Sequence, residues 1–190
     1  VREMGVTLPC QPKTISREDA NRVSVPDSSP FATFPQRENL ALALAFADSQ
    51  GISDDSVIKV LDEFEGEPHR LEKVATVGNA TFWNDSKATN FSAALAACRH
   101  FAGKAFWIGG GQSKGADEKA FAHRLHKLVA RAYLIGETGP SLGKRLSAFG
   151  LPSNVFGELA QAVKAAFEDV REATDILFSP GFASFDTYSD

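Results

Sequence analysis

Hydrophobic and polar positions change rhythm twice along this chain. Up to about residue 36 no period is sustained. Pro9, Pro12, Pro26, Pro30 and Pro35 interrupt the chain, with Asp27-Ser28-Ser29 among them. That stretch predicts loop with at most short elements. From Glu38 to Gln50 the run from Asn39 to Asp48 is apolar nearly all round, which predicts a buried helix ended by Gly51. Ser53 is placed to cap a second helix from Asp54 to Glu65, with Val57, Ile58, Leu61 and Phe64 on one face and Gly66 as its stop. Glu67-Pro68 then reads as a linker, because a residue before proline is pushed out of helical geometry.

Beyond the linker the pattern alternates. Leu71 to Val77 and Ala80 to Asn84 predict a strand pair joined across Gly78-Asn79. Helical spacing follows from about Phe91 to Phe101, then a strand from Lys104 to Ile108 closed by Gly109-Gly110-Gly111. Asp117 to Ala130 reads as helix, Ala132 to Ile135 as strand, and Pro140 to Phe149 as helix. A short strand near Val155, a helix from Leu159 to Val170 and a last strand from Asp175 to Phe178 complete the series. Short strands separated by single helices predict an α/β, doubly wound, mostly parallel sheet of Rossmann-like kind. The expected division is a helical portion over residues 1–66 and the α/β domain over 67–190. Ligands in such sheets sit at the carboxyl ends of the strands. Those ends carry Asn84-Asp85-Ser86-Lys87, the glycine run through Lys114, Gly136-Glu137 and Ser179-Pro180-Gly181.

Composition narrows the function classes. The 190 residues carry a net charge of -4, without the basic excess that marks a general nucleic-acid binder. No apolar run approaches the roughly 20 residues that span a bilayer, and the start has no signal-peptide core. Cys10 and Cys98 are far apart and outside any CxxC spacing, which predicts two reduced thiols in a cytoplasmic protein.

Several segments offer chemistry. Asn84-Asp85-Ser86-Lys87-Ala88-Thr89-Asn90 runs from a strand end into a helix start, where backbone N–H groups, a lysine and hydroxyls suit a phosphate or carboxylate. The same residues equally suit plain capping by Thr89 or Asn90 with Lys87 solvated. Gly109 to Asp117 would let a backbone approach a ligand closely and offers Lys114 as a point charge, or else forms a flexible turn. It is neither GxGxxG nor GxxxxGK[ST]. His69-Arg70 lies at the linker, either a surface charge pair or a reach toward a phosphate or ribose. His123 and His126 are three apart on a helix with no third ligand in view, so no metal site is expected there. Ser184 belongs to no GxSxG and is better suited to bond a bound carboxylate than to attack one.

Four strings, Pro68 to Glu72, Trp83 to Asn90, Gly109 to Asp117 and Leu177 to Asp186, resemble the Mur ligase family in order and approximate spacing, and within it the branch that adds D-glutamate. The resemblance covers about residues 34–190. It implies the end of a central ATPase domain over 1–66 and a C-terminal, amino-acid-binding domain over 67–190 that stops before the family's last helix. It implies a cytoplasmic, ATP- and Mg2+-dependent amide ligase of peptidoglycan synthesis, joining D-glutamate to UDP-N-acetylmuramoyl-L-alanine through an acyl phosphate. The partners would be those substrates and the rest of the ligase, with no nucleic acid and no membrane insertion. By motif, Lys87 and Lys114 would be the catalytic cations. Thr89, Ser184 and the backbone near Phe185 would join them in holding D-glutamate. Asn39, His69, Arg70 and Asp85 would contact nucleotide. Two departures stand out: Gln36 where the family usually has Asn, and Ser113 where Asp or Asn usually precedes the lysine. A Rossmann-type nucleotide module and a non-catalytic scaffold derived from such a ligase remain as rival readings.

Overall fold

The computed structural model describes residues 14–26, 29–32, 35–64, 66–113, 115 and 117–182. Lys114, Ser184 and Phe185 lie outside the described residues, as does Cys10. The chain forms two compact units that divide after Phe64.

The first unit holds two short 3-10 turns, Arg17–Arg22 and Pro30–Ala32, and two helices, α1 (Gln36–Ser49) and α2 (Asp54–Glu63). Ala20, Val23, Leu40, Ala41 and Leu44 make its core, with Val57, Ile58 and Leu61 of α2 packed against it. The all-round apolar run was expected to give a buried helix, and this is corrected. Leu42 and Phe46 are 56% and 66% exposed. At 100° per residue, Leu40 and Leu44 share a face while Leu42 and Phe46 point away from it, and the small core covers only one stripe. Ser53 caps α2 as predicted, accepting from Ser56 N. The helix stops at Glu63, not Glu65, because Phe64 turns extended (φ -75, ψ 111) and its ring meets Phe31.

The second unit is a six-stranded sheet in the order β1-β2-β6-β3-β4-β5. Its strands are β1 (Glu72–Val77), β2 (Ala80–Asn84), β3 (Phe106–Gly110), β4 (Arg131–Ile135), β5 (Ser153–Val155) and β6 (Thr174–Phe178). Among the described strands only β1 runs antiparallel, paired to β2 across a turn in which Gly78 takes φ 56. The helices are α3 (Phe91–Arg99), α4 (Glu118–Leu125), α5 (Gly139–Ala148) and α6 (Leu159–Glu168). Side chains alternate across the sheet as a period of two requires. Trp107, Leu134 and Leu177 face α3, α4 and α5, whereas Ile108, Tyr133, Ile135 and Ile176 face α6. Helices therefore cover both faces, and the doubly wound, mostly parallel α/β architecture read from the sequence is present.

Two boundaries move for instructive reasons. Strand β3 does not stop at Ile108 but continues through Gly109 and Gly110. A Cβ on Gly109 would lie 2.1 Å from the Trp107 ring, and one on Gly110, at φ +120, would lie 2.2 Å from the Ile135 carbonyl oxygen. These glycines let the strand pass its own neighbours closely, so Gly109 and Gly110 belong to the strand and not to the loop that follows it. Helix α4 ends at Leu125 instead of Ala130. Leu128 N closes a tight turn on Leu125 O, and Ala130 N reaches Ala105 O (2.9 Å), drawing the chain into β4.

Candidate functional site

Four loops meet at the carboxyl ends of β2, β3, β4 and β6, and backbone hydrogen bonds stitch them together. Phe178 O accepts from Asp85 N (2.8 Å), Pro180 O from Gly110 N (2.9 Å), and Ala88 O from Gly181 N (2.7 Å). On the β4 side, Gly111 N donates to Thr138 Oγ1 (3.1 Å), which donates in turn to Gly111 O (2.8 Å). Thr138 is buried, so this pairing pins the chain directly after the glycine strand end.

Asp85 is the hub. It is only 8% exposed and both carboxylate oxygens are engaged. Oδ1 accepts from Leu71 N (3.1 Å) and Oδ2 from the Ser179 hydroxyl (2.7 Å). Burial pushes its pKa up, while the Ser179 bond, the Leu71 N–H and the Arg70 charge oppose that rise. Among the described residues each carboxylate oxygen accepts one hydrogen bond, of the about two that its lone pairs allow. Ser179 is fully buried, and its carbonyl accepts from Trp107 Nε1 (2.9 Å).

The turn preceding β1 is bent in a way the sequence did not announce. His69 (φ 66) and Leu71 (φ 48) both take left-handed backbone angles, costly for a leucine in particular. Leu71 was expected as the first strand residue; it instead completes this turn. The contacts that over-determine the turn are local and numerous. His69 N donates to Glu72 Oε2 (2.8 Å), His69 Nδ1 pairs with Asn84 Nδ2 (2.8 Å), and Lys87 N donates to His69 O (3.2 Å). The turn therefore sets His69 and Arg70 beside Asp85 and Lys87.

Lys87 is exposed, and its Nζ lies 3.5 Å from Glu67 Oε2. The same oxygen accepts from Arg70 Nε. The Arg70 hydrogen bond and then the Lys87 charge hold the Glu67 carboxyl below the ordinary carboxylate range. Thr89 is exposed beside them, and Asn90 is the residue that caps α3, accepting from Ala93 N (2.9 Å). Capping by Asn90 thus leaves the Lys87 ammonium and Thr89 unused by the helix. In the glycine segment, Asp117 caps α4 by accepting from Ala120 N (3.0 Å).

The structure thus brings His69, Arg70, Asp85, Lys87 and Thr89 to one strand-end cluster. Asn39 lies in α1 of the other unit, where its Nδ2 donates to Gln36 Oε1 (2.6 Å). Glu67 and Glu72 join the cluster without having been singled out from sequence, and Ser179, named there only as part of a strand end, enters it through its bond to Asp85. His123 and His126 pack around Phe149, with the His126 ring stacked on it at 4.8 Å. Among the described residues, no three His, Cys, Asp or Glu side chains gather as metal ligands.

Known proteins resemble this chain in both sequence and fold. Residues 69–182 match the model of the Mur ligase glutamate ligase domain. A UDP-N-acetylmuramoylalanine--D-glutamate ligase of Thermosynechococcus vestitus is 38% identical over 157 residues, covering 81% of this chain and 35% of the relative. The enzyme of that name from a Synechococcus species is 34% identical over 178 residues, covering 92% of this chain and 39% of its own. The chain spans about a third of the length of such relatives. Among solved structures, UDP-N-acetylmuramate-alanine ligase of Thermotoga maritima superposes with a TM-score of 0.60 at 19% identity, covering 77% of this chain and 34% of that one. A Yersinia pestis folylpolyglutamate synthase/dihydrofolate synthase complexed with AMPPNP and Mn gives 0.57 at 20%, covering 78% and 36%. At those identities the structural likeness establishes the fold alone.

Proposed function

The chain belongs to the Mur ligase family through its glutamate ligase domain, and we propose that it is the amino-acid-binding part of an ATP-dependent ligase that adds D-glutamate to UDP-N-acetylmuramoyl-L-alanine in the cytoplasm. The observation that carries this reading is the strand-end cluster: Lys87, Thr89, Asp85, Arg70 and His69 lie together at the end of the sheet where such folds bind ligands. No described helix is long and apolar enough to cross a membrane.

In the proposed reaction the alanyl carboxylate oxygen takes the γ-phosphoryl group of ATP and ADP departs. The D-glutamate amine then attacks the acyl carbon, and phosphate leaves from the tetrahedral intermediate as the amide forms. Mg2+ would neutralise phosphate charge; among the described residues no ligand cluster for it gathers. Lys87 and Lys114 supply positive charge against the carboxylates of D-glutamate and the charge that builds up on oxygen. Thr89, Ser184 and the backbone at Phe185 orient the amino acid. Asp85, an acceptor held at the strand end by Leu71 N and Ser179, suits ribose hydroxyls. Arg70 and His69 reach nucleotide from the turn before β1; Asn39 is assigned a nucleotide contact by family resemblance alone. Catalysis on this account is positioning and electrostatic stabilisation, with no covalent enzyme intermediate.

The test is phosphate release by the full-length gene product supplied with ATP, Mg2+ and UDP-N-acetylmuramoyl-L-alanine. Release should require D-glutamate and not be supported by L-glutamate, L-lysine or D-alanine. Release supported equally by those other amino acids, or independent of any, overturns the reading.

A further inference from the structure

Arg70 Nε and Lys87 Nζ converge on one atom, Oε2 of Glu67, the lysine at 3.5 Å. The backbone keeps the two cations together, because Arg70 N donates to Glu67 O and Lys87 N donates to His69 O, each at 3.2 Å. All three side chains are about half exposed, at 54%, 46% and 56% for Arg70, Lys87 and Glu67. Two cations aimed at a single carboxylate oxygen make a seat of the size and charge that one oxyanion needs. An exposed ion pair is a weak occupant of such a seat, since solvent screens it and two flexible side chains must be held still.

We propose that Arg70 and Lys87 form one shared oxyanion seat, that Glu67 fills it in the ligand-free chain, and that a phosphate or carboxylate oxygen of the ligand enters by displacing Glu67. This rests on reading the strand-end cluster as the ligand site. It replaces the division of labour implied by family resemblance, Arg70 to nucleotide and Lys87 to D-glutamate, with a joint contact. Glu67 becomes an internal competitor that sets how readily the first anion binds. The lowered pKa of its carboxyl keeps that competitor charged down to acidic pH.

The experiment is a titration of the 190-residue chain with inorganic phosphate and, separately, with D-glutamate at fixed ionic strength, read by amide chemical shifts at 67, 69–72 and 85–90. Glu67→Gln should bind phosphate about two- to fivefold more tightly than the parent, the range an exposed ion pair can contribute. Lys87→Ala and Arg70→Ala should each weaken it by a comparable factor. Glu172→Gln, the same charge change at a remote exposed site, should leave affinity unchanged. Competition between D-glutamate and phosphate for the same amides would mean that the seat takes carboxylate as well as phosphate; phosphate shifts alone would reserve it for a phosphoryl group. Equal affinity in Glu67→Gln and the parent, loss in Lys87→Ala but not Arg70→Ala, or no anion-dependent shifts at these amides would overturn the proposal. The ligase reading fails separately, on D-glutamate-independent phosphate release.

Discussion

Removing the Ser179 hydroxyl should cost far more than its size suggests. The Ser179→Ala change deletes a single oxygen, so the cavity contribution is small. The lost bond, however, is 2.7 Å long, fully buried at Ser179, and made to a carboxylate that is only 8% exposed. Hydrogen bonds to charged groups contribute about 1.5–3 kcal/mol, against about 0.5–1.5 kcal/mol for neutral pairs. The expected loss at pH 7 is therefore about 1.5–3 kcal/mol. In urea, with a slope of about 2 kcal/mol/M, the midpoint should fall by roughly 1 M. The fluorescence of Trp83 and Trp107, both in the second unit, follows the transition. Because burial raises the Asp85 pKa, the native carboxyl takes up its proton at a higher pH than an ordinary aspartate does, and the cost should shrink toward that of a neutral pair as the pH falls. In an Asp85→Ala background the same Ser179→Ala change should cost less than about 0.5 kcal/mol, since the coupled partner is gone. A loss below about 0.5 kcal/mol at pH 7, or an undiminished loss in the Asp85→Ala background, would refute the assignment of Asp85 as the hub.

Three further outcomes follow from the same geometry. Asp85→Asn keeps an acceptor for Leu71 N and can donate to the Ser179 oxygen; since a raised native pKa makes the Asp85 contribution fall as pH rises through the window above 3.8, the variant should gain relative to the parent across that window in denaturation curves and then level off. Gly110→Ala should lose about 3 kcal/mol or more, because its Cβ would meet the Ile135 carbonyl oxygen at 2.2 Å as well as bear the φ of +120, whereas Gly78→Ala, with open space and φ +56, should lose only about 1 kcal/mol; thermal melts separate the two. Asn90→Ala should lose about 1 kcal/mol through the α3 cap, with faster hydrogen exchange confined to the first turn of that helix.

Much of this fold is written in local rhythm. The alternation of short apolar runs with helical spacing gave the order of strands and helices in the second unit, because burial on both sheet faces leaves near-continuous apolar strands. The strand ends pointed to Asp85 and Lys87, and Arg70, read from the linker, folds beside them. What could not be read depends on partners far away in sequence. Asp85 and Ser179 are 94 residues apart, and a serine before Pro-Gly carries a turn signal, with nothing to mark a buried donor. Gly109 and Gly110 looked like a loop because glycine usually marks one; their need for close approach is set by Trp107 and Ile135. The left-handed angle at Leu71 contradicts that residue's preference, and the turn is held by the nearby Glu72 together with Asn84, Asp85 and Lys87 farther along the chain. Glu67 sat in a linker of the sequence, and its link to Lys87 appears only once the turn is folded.

The most direct test of the central claim is the Lys87→Ala variant of the full-length gene product in steady-state phosphate release, varying D-glutamate at saturating ATP and UDP-N-acetylmuramoyl-L-alanine. The kcat/KM for D-glutamate should fall by roughly 100-fold or more, the scale of losing one positioned charge at an active site, with Lys87→Arg recovering part of it and the fold unchanged. Full D-glutamate-dependent turnover in a folded Lys87→Ala variant would contradict the account.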